Sequence, residues 1–392
     1  MYEILKENFK KSFNKNAKWI FSAPGRTELG GNHTDHQRGC VLAAAVNLDT
    51  KAAVAPNGEN IIRVLSEGYP ICEVKLPVGN PSEKDFGTTK SLIEGVIARF
   101  QQLGSPINGF DAYVMSDVLP GSGLSSSAAF EVLIGVILNE MNGCGLSPAA
   151  IAMVGQYAEN VYFGKPCGLM DQMASSVGNI ITIDFKDPEN PVIKPLSFDF
   201  TKSGYSLCII DSGANHADLT DCYAAITEEL RTVCKCFGKR VLREIPENKF
   251  YENINEVRKQ CGDRAVLRAI HVYQDNKRVE REVKALEENN FAEFLKISEE
   301  SGNSSWQLLQ NVIPEGRTTA QEVAFAITLA KQFLGGKGAV RVHGGGFAGT
   351  VQAFVPNDML DKFKSQIENA LGEGSCHILS IRHDGGILAE VC

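Results

Sequence analysis

The sequence predicts a two-domain α+β fold, and three observations lead there. Strand-like and helix-like segments alternate through the first half, the stretch from Asp218 to about Leu334 is almost wholly helical in pattern, and strand patterns return from Ala339 onward. A boundary near residue 200 divides the chain into 1–200 and 201–392. A length of 392 residues suits two cores better than one.

In the first half, strands are expected at Trp19–Ala23, Leu48–Val54, Ile61–Leu65, Ile71–Leu76 and Phe110–Met115. Pro77 to Gly87 reads as a turn-rich loop, and Ser91–Leu103 as a helix with Leu92, Val96 and Phe100 on one face. Beyond Gly123, the residues Ala129, Val132, Leu133, Val136 and Ile137 have the spacing of an amphipathic helix, with Ser126 or Ser127 as its N-cap. A helix over Ser147–Tyr162 opens with Pro148 in its first turn, and strands follow at Ile180–Asp184 and Ser206–Asp211. In the helical stretch, pairs such as Glu280 and Lys284 mark solvated faces. The tail reads as strand Ala339–His343, a glycine run, strand Thr350–Val355, helix Asp358–Leu371 and strand Cys376–Ile381.

Composition excludes several function classes. The chain is 43% apolar and 22% charged, as globular proteins are, and its net charge of −8 argues against nucleic acid or an anionic membrane as partner. An acidic chain that holds phosphate must do so locally, with backbone N–H groups, a helix N-terminus and Mg²⁺. The 11 cysteines lack any Cys-x-x-Cys spacing and are expected to be reduced, mostly buried small hydrophobes of a cytoplasmic protein. The basic N-terminus is followed by no apolar segment, and no apolar run approaches membrane-spanning length.

Three glycine-rich segments carry the chemistry. Pro120-Gly121-Ser122-Gly123-Leu124-Ser125-Ser126-Ser127 joins a strand to the amphipathic helix. Its glycines permit close backbone approach, the first-turn N–H groups form an anion site, and the serines can donate to phosphate or ligate Mg²⁺. No Gly-Lys-Ser/Thr is present, so this is not a P-loop. Alone, the segment equally fits a glycine turn before a capped helix. Ala23 to His36 reads as one loop dense in hydrogen-bonding groups, suited to a polyol, with Asp35 and His33 as acceptors. A metal reading of His33, Asp35 and His36 lacks a third or fourth ligand at defined geometry. Cys167 to Met173 ends a turn and starts a short helix, where Asp171 either complements the helix dipole or orients an attacking hydroxyl. Glu159, on the preceding helix, could reach a shared Mg²⁺, and His343 to Gly349 implies a close backbone approach or a glycine-rich hairpin.

Taken in chain order, the segments resemble the three motifs of the GHMP superfamily of sugar and small-metabolite kinases, and Ala23 to His36 resembles the signature of the galactokinase family. The resemblance spans nearly the whole chain, from Ala23-Pro24-Gly25-Arg26 through Leu124–Ala128 and Cys167–Gln172 to Gly344-Gly345-Gly346-Phe347. It implies an N-terminal ribosomal-protein-S5-like domain and a C-terminal ferredoxin-like domain with a helical insertion. It also implies ATP-dependent phosphorylation of galactose at the anomeric hydroxyl, with Mg²⁺ as cofactor; the protein itself is expected to be cytoplasmic and a monomer. By the same resemblance Asp171 and Arg26 are the catalytic pair, and Ser127 and Glu159 match the Mg²⁺ positions. Asn32, His33, Thr34, Asp35, Gly168 and Tyr223 match sugar contacts. Gly121, Ser122, Gly123, Leu124, Ser125, Ser126, Ser127, Gly344, Gly345, Gly346 and Ser66 match ATP contacts.

The sequence departs from the family pattern at the sugar end. Where the signature usually has Asn-Leu-Ile-Gly-Glu-His-Thr-Asp-Tyr, this chain has Glu28-Leu29-Gly30-Gly31-Asn32-His33-Thr34-Asp35-His36. Asn32 replaces a carboxylate and His36 a tyrosine, and the usual Asn-x-Arg-Arg after Tyr223 is Ala224-Ala225-Ile226-Thr227. A kinase for another hexose or an N-acetylhexosamine, and a non-catalytic sugar and ATP sensor, are the alternatives.

Overall fold

The computed structural model describes residues 2–118, 123–214 and 219–392. Gly121 and Ser122 of the glycine–serine loop, and the expected helix start at Asp218, lie outside the described residues. Helix α1 (Glu3–Phe13) packs under the first sheet. That sheet is built from β1 (Trp19–Gly30), β2 (Cys40–Pro56), β3 (Ile61–Ser66), β4 (Cys72–Lys75), β5 (Phe110–Ser116), β6 (Ile180–Asp184) and β7 (Val192–Leu196). The second sheet uses β8 (Tyr205–Asp211), β9 (Ala339–Val342), β10 (Thr350–Pro356) and β11 (Cys376–Leu379), in the order β11-β8-β10-β9 and antiparallel throughout. The last strand, β12 (Ile387–Val391), crosses back to pair with β1 at the edge of the first sheet.

Helices α2 (Thr89–Gln102), α3 (Ser126–Asn142), α4 (Pro148–Tyr157) and α5 (Met170–Val177) pack together against the first sheet. The helical stretch comprises α6 (Thr220–Lys235), α7 (Glu247–Glu252), α8 (Ile254–Cys261), α9 (Asp263–Glu287), α10 (Phe291–Ser304) and α11 (Glu322–Leu334). Helix α12 (Leu360–Leu371) packs with α11 on the second sheet. Phe200, Phe291, Phe294 and Phe354 stack edge and face between α10 and β10, in a core that also takes Leu42 and Ala44 of β2 and Leu207 and Ile209 of β8. This shared core joins the two sheets and fixes how their loops meet.

Several boundaries differ from the sequence reading. β1 does not end at Ala23; after a register shift between Pro24 and Arg26 it resumes pairing with β2 through Gly30. Pro24 and Gly25 resemble a turn in sequence but form a bulge, which re-aims the next side chain, Arg26. β2 begins at Cys40 rather than Leu48, because Ala43–Ala45 are strand despite weak β-propensity. The N-cap of α3 is Ser125, in left-handed backbone at φ 58°, rather than Ser126 or Ser127. The helix expected to run to Tyr162 changes at Ala158 to a π-helical turn over Ala158–Phe163, which carries Glu159. Such turns cost hydrogen-bond geometry and often mark functional positions. Three elements went unread: α1, β7 and β12. All 11 cysteines are free, but only Cys208, Cys234 and Cys376 are buried, so most are not the core residues expected. Among the described residues no helix is long and apolar enough to cross a membrane.

Candidate active site

The bulge in β1, the start of α3 and the start of α5 converge on one ion pair. Arg26 donates from Nε to Asp171 Oδ1 at 2.7 Å and from Nη2 to Oδ2 at 2.9 Å, a bidentate fork. Its Nη1 donates to Gly123 O, and its backbone N–H to Leu124 O at 3.0 Å, so the glycine–serine loop is tied to the pair at two points. Ser125, whose left-handed backbone turns its hydroxyl inward, donates to Asp171 Oδ2. Burial opposes ionisation of Asp171, but the Arg26 charge and hydrogen bonds, with Ser125 added, hold its carboxyl below the usual range. The Asp171 side chain is 32% exposed against 8% for Arg26, so the carboxylate presents an open edge while the guanidinium is enclosed.

Gly123 lies against the second sheet's loop. At φ 71° it adopts backbone that favours glycine, and a Cβ there would crowd Thr350 Oγ1 and His343. His343 accepts the Glu28 N–H at Nε2 (3.3 Å) and therefore donates from Nδ1 to Thr350 Oγ1 at 3.0 Å. Burial, then Arg26 and Arg341, hold His343 neutral.

A second cluster adjoins Asp171. Ser127 Oγ lies 3.4 Å from Glu159 Oε1, which also receives Lys165 Nζ at 3.3 Å. Gln172 bridges Glu131 Oε2 and Glu159 Oε2, each at 2.9 Å, with its amide N–H groups. Burial, and Glu159 beside it, push the Glu131 carboxyl well above the usual range. Two hard oxygens on one spot, Ser127 Oγ and Glu159 Oε1, beside the Lys165 ammonium, suit a Mg²⁺ that brings its remaining ligands as phosphate oxygens and water. Among the described residues no group of three or more His, Cys, Asp or Glu could hold a metal by itself.

The residues matched to sugar contacts fall into two sets. The Asp35 carboxylate has no hydrogen-bond or ion-pair partner among the described residues, and it lies against Gly168, where a Cβ would overlap its Oδ2. This carboxylate therefore stands open, against the turn that leads into Asp171. Replacing Gly168 with alanine is expected to displace Asp35 and weaken sugar binding about tenfold with the fold intact, readable by titration calorimetry.

The other set is engaged inside the protein. Thr34 is fully buried, its hydroxyl within reach of Gly31 O (2.8 Å) and Cys40 O (2.7 Å). Asn32 is also fully buried. Its Nδ2 donates to Glu28 Oε1 (3.1 Å) and Gly344 O (2.6 Å), and its Oδ1 accepts from Ser305 (3.2 Å) and Asn311 (2.9 Å). His33 Nε2 meets Gly345 O at 3.0 Å, and the Tyr223 hydroxyl donates to Gly346 O at 2.8 Å. Three successive carbonyls of the glycine-rich segment are thus held by residues that the sequence assigned to a sugar, and Gly344–Gly346 meets the signature rather than standing apart from it. Ser66, at the end of β3, pairs with Val114 of β5, and no contact among the described residues brings it to the ion pair. Leu124 is buried and Ser126 opens α3.

Sequence reasoning missed Gln172, Glu131, Lys165, His343, Asn311 and Arg341. Gln172 and His343 lie inside segments that the sequence singles out. The others look like ordinary helix-surface or strand polar residues, and only their burial or their partners distinguish them.

Comparison with known proteins is consistent across sequence and structure. The galactokinase galactose-binding signature matches residues 7–56, and the GHMP kinases N terminal domain matches residues 91–179. A galactokinase of Glaesserella parasuis serovar 5 is 30% identical over 373 residues, which cover 93% of this chain and 92% of that one. The crystal structure of Lactococcus lactis galactokinase complexed with galactose superposes with a TM-score of 0.83 at 25% identity, covering 98% and 99% of the two chains. The mevalonate kinase of Methanococcus jannaschii, at 15% identity and a TM-score of 0.65, covers 93% of this chain and 98% of its own, and shares the fold.

Proposed function

The chain belongs to the galactokinase family of GHMP kinases, and from that premise we propose that it transfers the γ-phosphoryl group of ATP to the anomeric hydroxyl of galactose. The observation that carries the residue assignment is the Arg26–Asp171 fork, closed by Ser125 at the start of α3. Asp35, open beside Gly168, would accept from paired sugar hydroxyls. The loop at Gly123–Ser127 and the first N–H groups of α3 would hold the triphosphate. Ser127 and Glu159 would hold Mg²⁺, which neutralises phosphate charge when bound.

In the transfer, the bond from galactose O1 to the γ-phosphorus forms as the bond to the ADP oxygen breaks, and the O1 proton passes to Asp171. A carboxylate held below its usual range is a weak base, so Asp171 first orients the hydroxyl and takes the proton late, as the new bond acidifies it. Arg26 keeps Asp171 ionised and offsets charge on the moving phosphoryl group. Because the ionised form persists well into acid, kcat is expected to stay level from about pH 8 to about pH 5; an acid limb near pH 6 would assign the proton to another group. An ADP-release assay over a panel of monosaccharides tests the reading. Turnover of galactose above other hexoses and N-acetylhexosamines supports it; binding without turnover favours a sensor.

A further inference from the structure

The signature carries a hydrogen-bond chain whose direction is fixed at every link. Leu242 donates its N–H to Gln37 Oε1 at 3.0 Å, which orients the Gln37 amide so that Nε2 faces His36 Nδ1 at 3.2 Å. His36 Nε2 lies 3.2 Å from His33 Nδ1, and His33 Nε2 lies 3.0 Å from Gly345 O. A carbonyl only accepts, so His33 Nε2 carries the proton; in the neutral ring Nδ1 is then an acceptor, and His36 must supply the N–H from Nε2. His36 Nδ1 is in turn the acceptor for the Gln37 amide. The rings meet edge to face, with centroids 5.4 Å apart. His33 holds φ 58°, a conformation rare for a non-glycine residue, and that backbone places its ring in this chain. Burial and the neighbouring imidazole lower the His33 pKa to about 3, so the neutral form assumed for the chain is the one present.

The far end of the chain is the segment whose three carbonyls are gripped in succession: Gly344 by Asn32, Gly345 by His33 and Asn311, Gly346 by Tyr223. We propose that His36 is a positioning residue for the sugar end of the site, acting by donating its Nε2–H to His33 and so fixing His33 as the clasp on Gly345. A hydrogen-bond donor at position 36 is then a requirement of this chain, and its effect falls on substrate affinity, because the Arg26–Asp171 fork is untouched. The choice of galactose as probe rests on the proposed function; the clasp itself does not.

Three variants test it: His36→Leu removes the donor, His36→Asn withdraws it out of reach, and His36→Gln places an amide N–H near the position of Nε2. The expected result is a galactose KM raised about tenfold in His36→Leu and His36→Asn, with kcat within about threefold, and near-normal values in His36→Gln. Nitrogen-15 NMR of the ring nitrogens in the sugar-free protein, assigned with His33→Gln, reads the clasp directly. His33 should be a single Nε2–H tautomer in the wild type and His36→Gln, and a mixture in His36→Leu. An unchanged tautomer or KM in His36→Leu, or equal damage by leucine and glutamine, overturns the proposal. Should the wild-type enzyme not phosphorylate galactose, the functional reading fails and the tautomer measurement alone decides the clasp.

Discussion

Asp171→Ala is expected to fold, to bind galactose with a KM within a few-fold of wild type, and to lose on the order of 10²-fold or more in kcat. The split follows from what Asp171 touches. Its carboxylate accepts from both Arg26 Nε and Arg26 Nη2, and its open edge faces outward from an otherwise enclosed pair. On the proposed reading the sugar is held elsewhere, at Asp35 beside Gly168, so ground-state binding is expected to survive. What is lost is a hydroxyl held in line and a late acceptor for its proton, both of which matter in the transition state. Folding is protected because Arg26 keeps two backbone anchors, Gly123 O through Nη1 and Leu124 O through its own N–H. Initial rates at saturating and limiting galactose, with thermal unfolding alongside, give the three numbers needed. A kcat near normal would remove Asp171 from the chemistry.

The local character of the segments explains how far the sequence could be read. Glycines beside serines, and an Arg, Asp and two His within fourteen residues, are anomalous in any ordinary strand or helix, so Ala23–His36, Pro120–Ser127 and Cys167–Met173 stood out. Long periodic elements such as α3 and the helical stretch were legible for the same reason that they are stable, one apolar repeat repeated many times. The end of β1 was not, because a bulge at Pro24 and Gly25 uses the same residues as a turn. β12 was not, because five residues at a sheet edge carry no pattern that says which strand they will join. In the glycine-rich segment 344–346 nothing local says what its carbonyls meet; they are held by Asn32, His33 and Tyr223 across more than a hundred residues of chain. Buried charge was the least legible feature. Glu280 and Lys284 are solvent-exposed as their spacing suggests, yet Glu282 between them is fully buried.

That buried charge makes Arg341 the most consequential residue outside the ion pair. It is 1% exposed, and its Nη2 donates to Glu28 Oε1 at 2.6 Å while Nη1 donates to Leu29 O at 2.7 Å, directly beneath the signature. Glu282, with neither carboxylate oxygen hydrogen-bonded among the described residues, fills the notch left by the missing side chain of Gly30, and Asp275 receives the Asn32 N–H at 2.7 Å. Arg341 is a stabilising charge for all three carboxylates. Arg341→Met is therefore expected to cost about 3–5 kcal/mol, the range for breaking a buried pair on one side, and Arg341→Met with Glu28→Gln should cost less than Arg341→Met alone. The loss should depend on pH with a definite sign. Burial, opposed by Arg341, Arg26 and Asn32, already raises Glu28 from 4.5 to about 7, so the folded state binds more protons than the unfolded state between those values and stability declines as pH rises through them. Without Arg341 the Glu28 carboxyl is pushed higher still, and the window widens upward. The destabilisation of Arg341→Met measured by urea unfolding should consequently be larger at about pH 8 than at about pH 5.5. An equal loss at both values would mean that the cost lies in the cavity and the freed Leu29 carbonyl rather than in the stranded carboxylate.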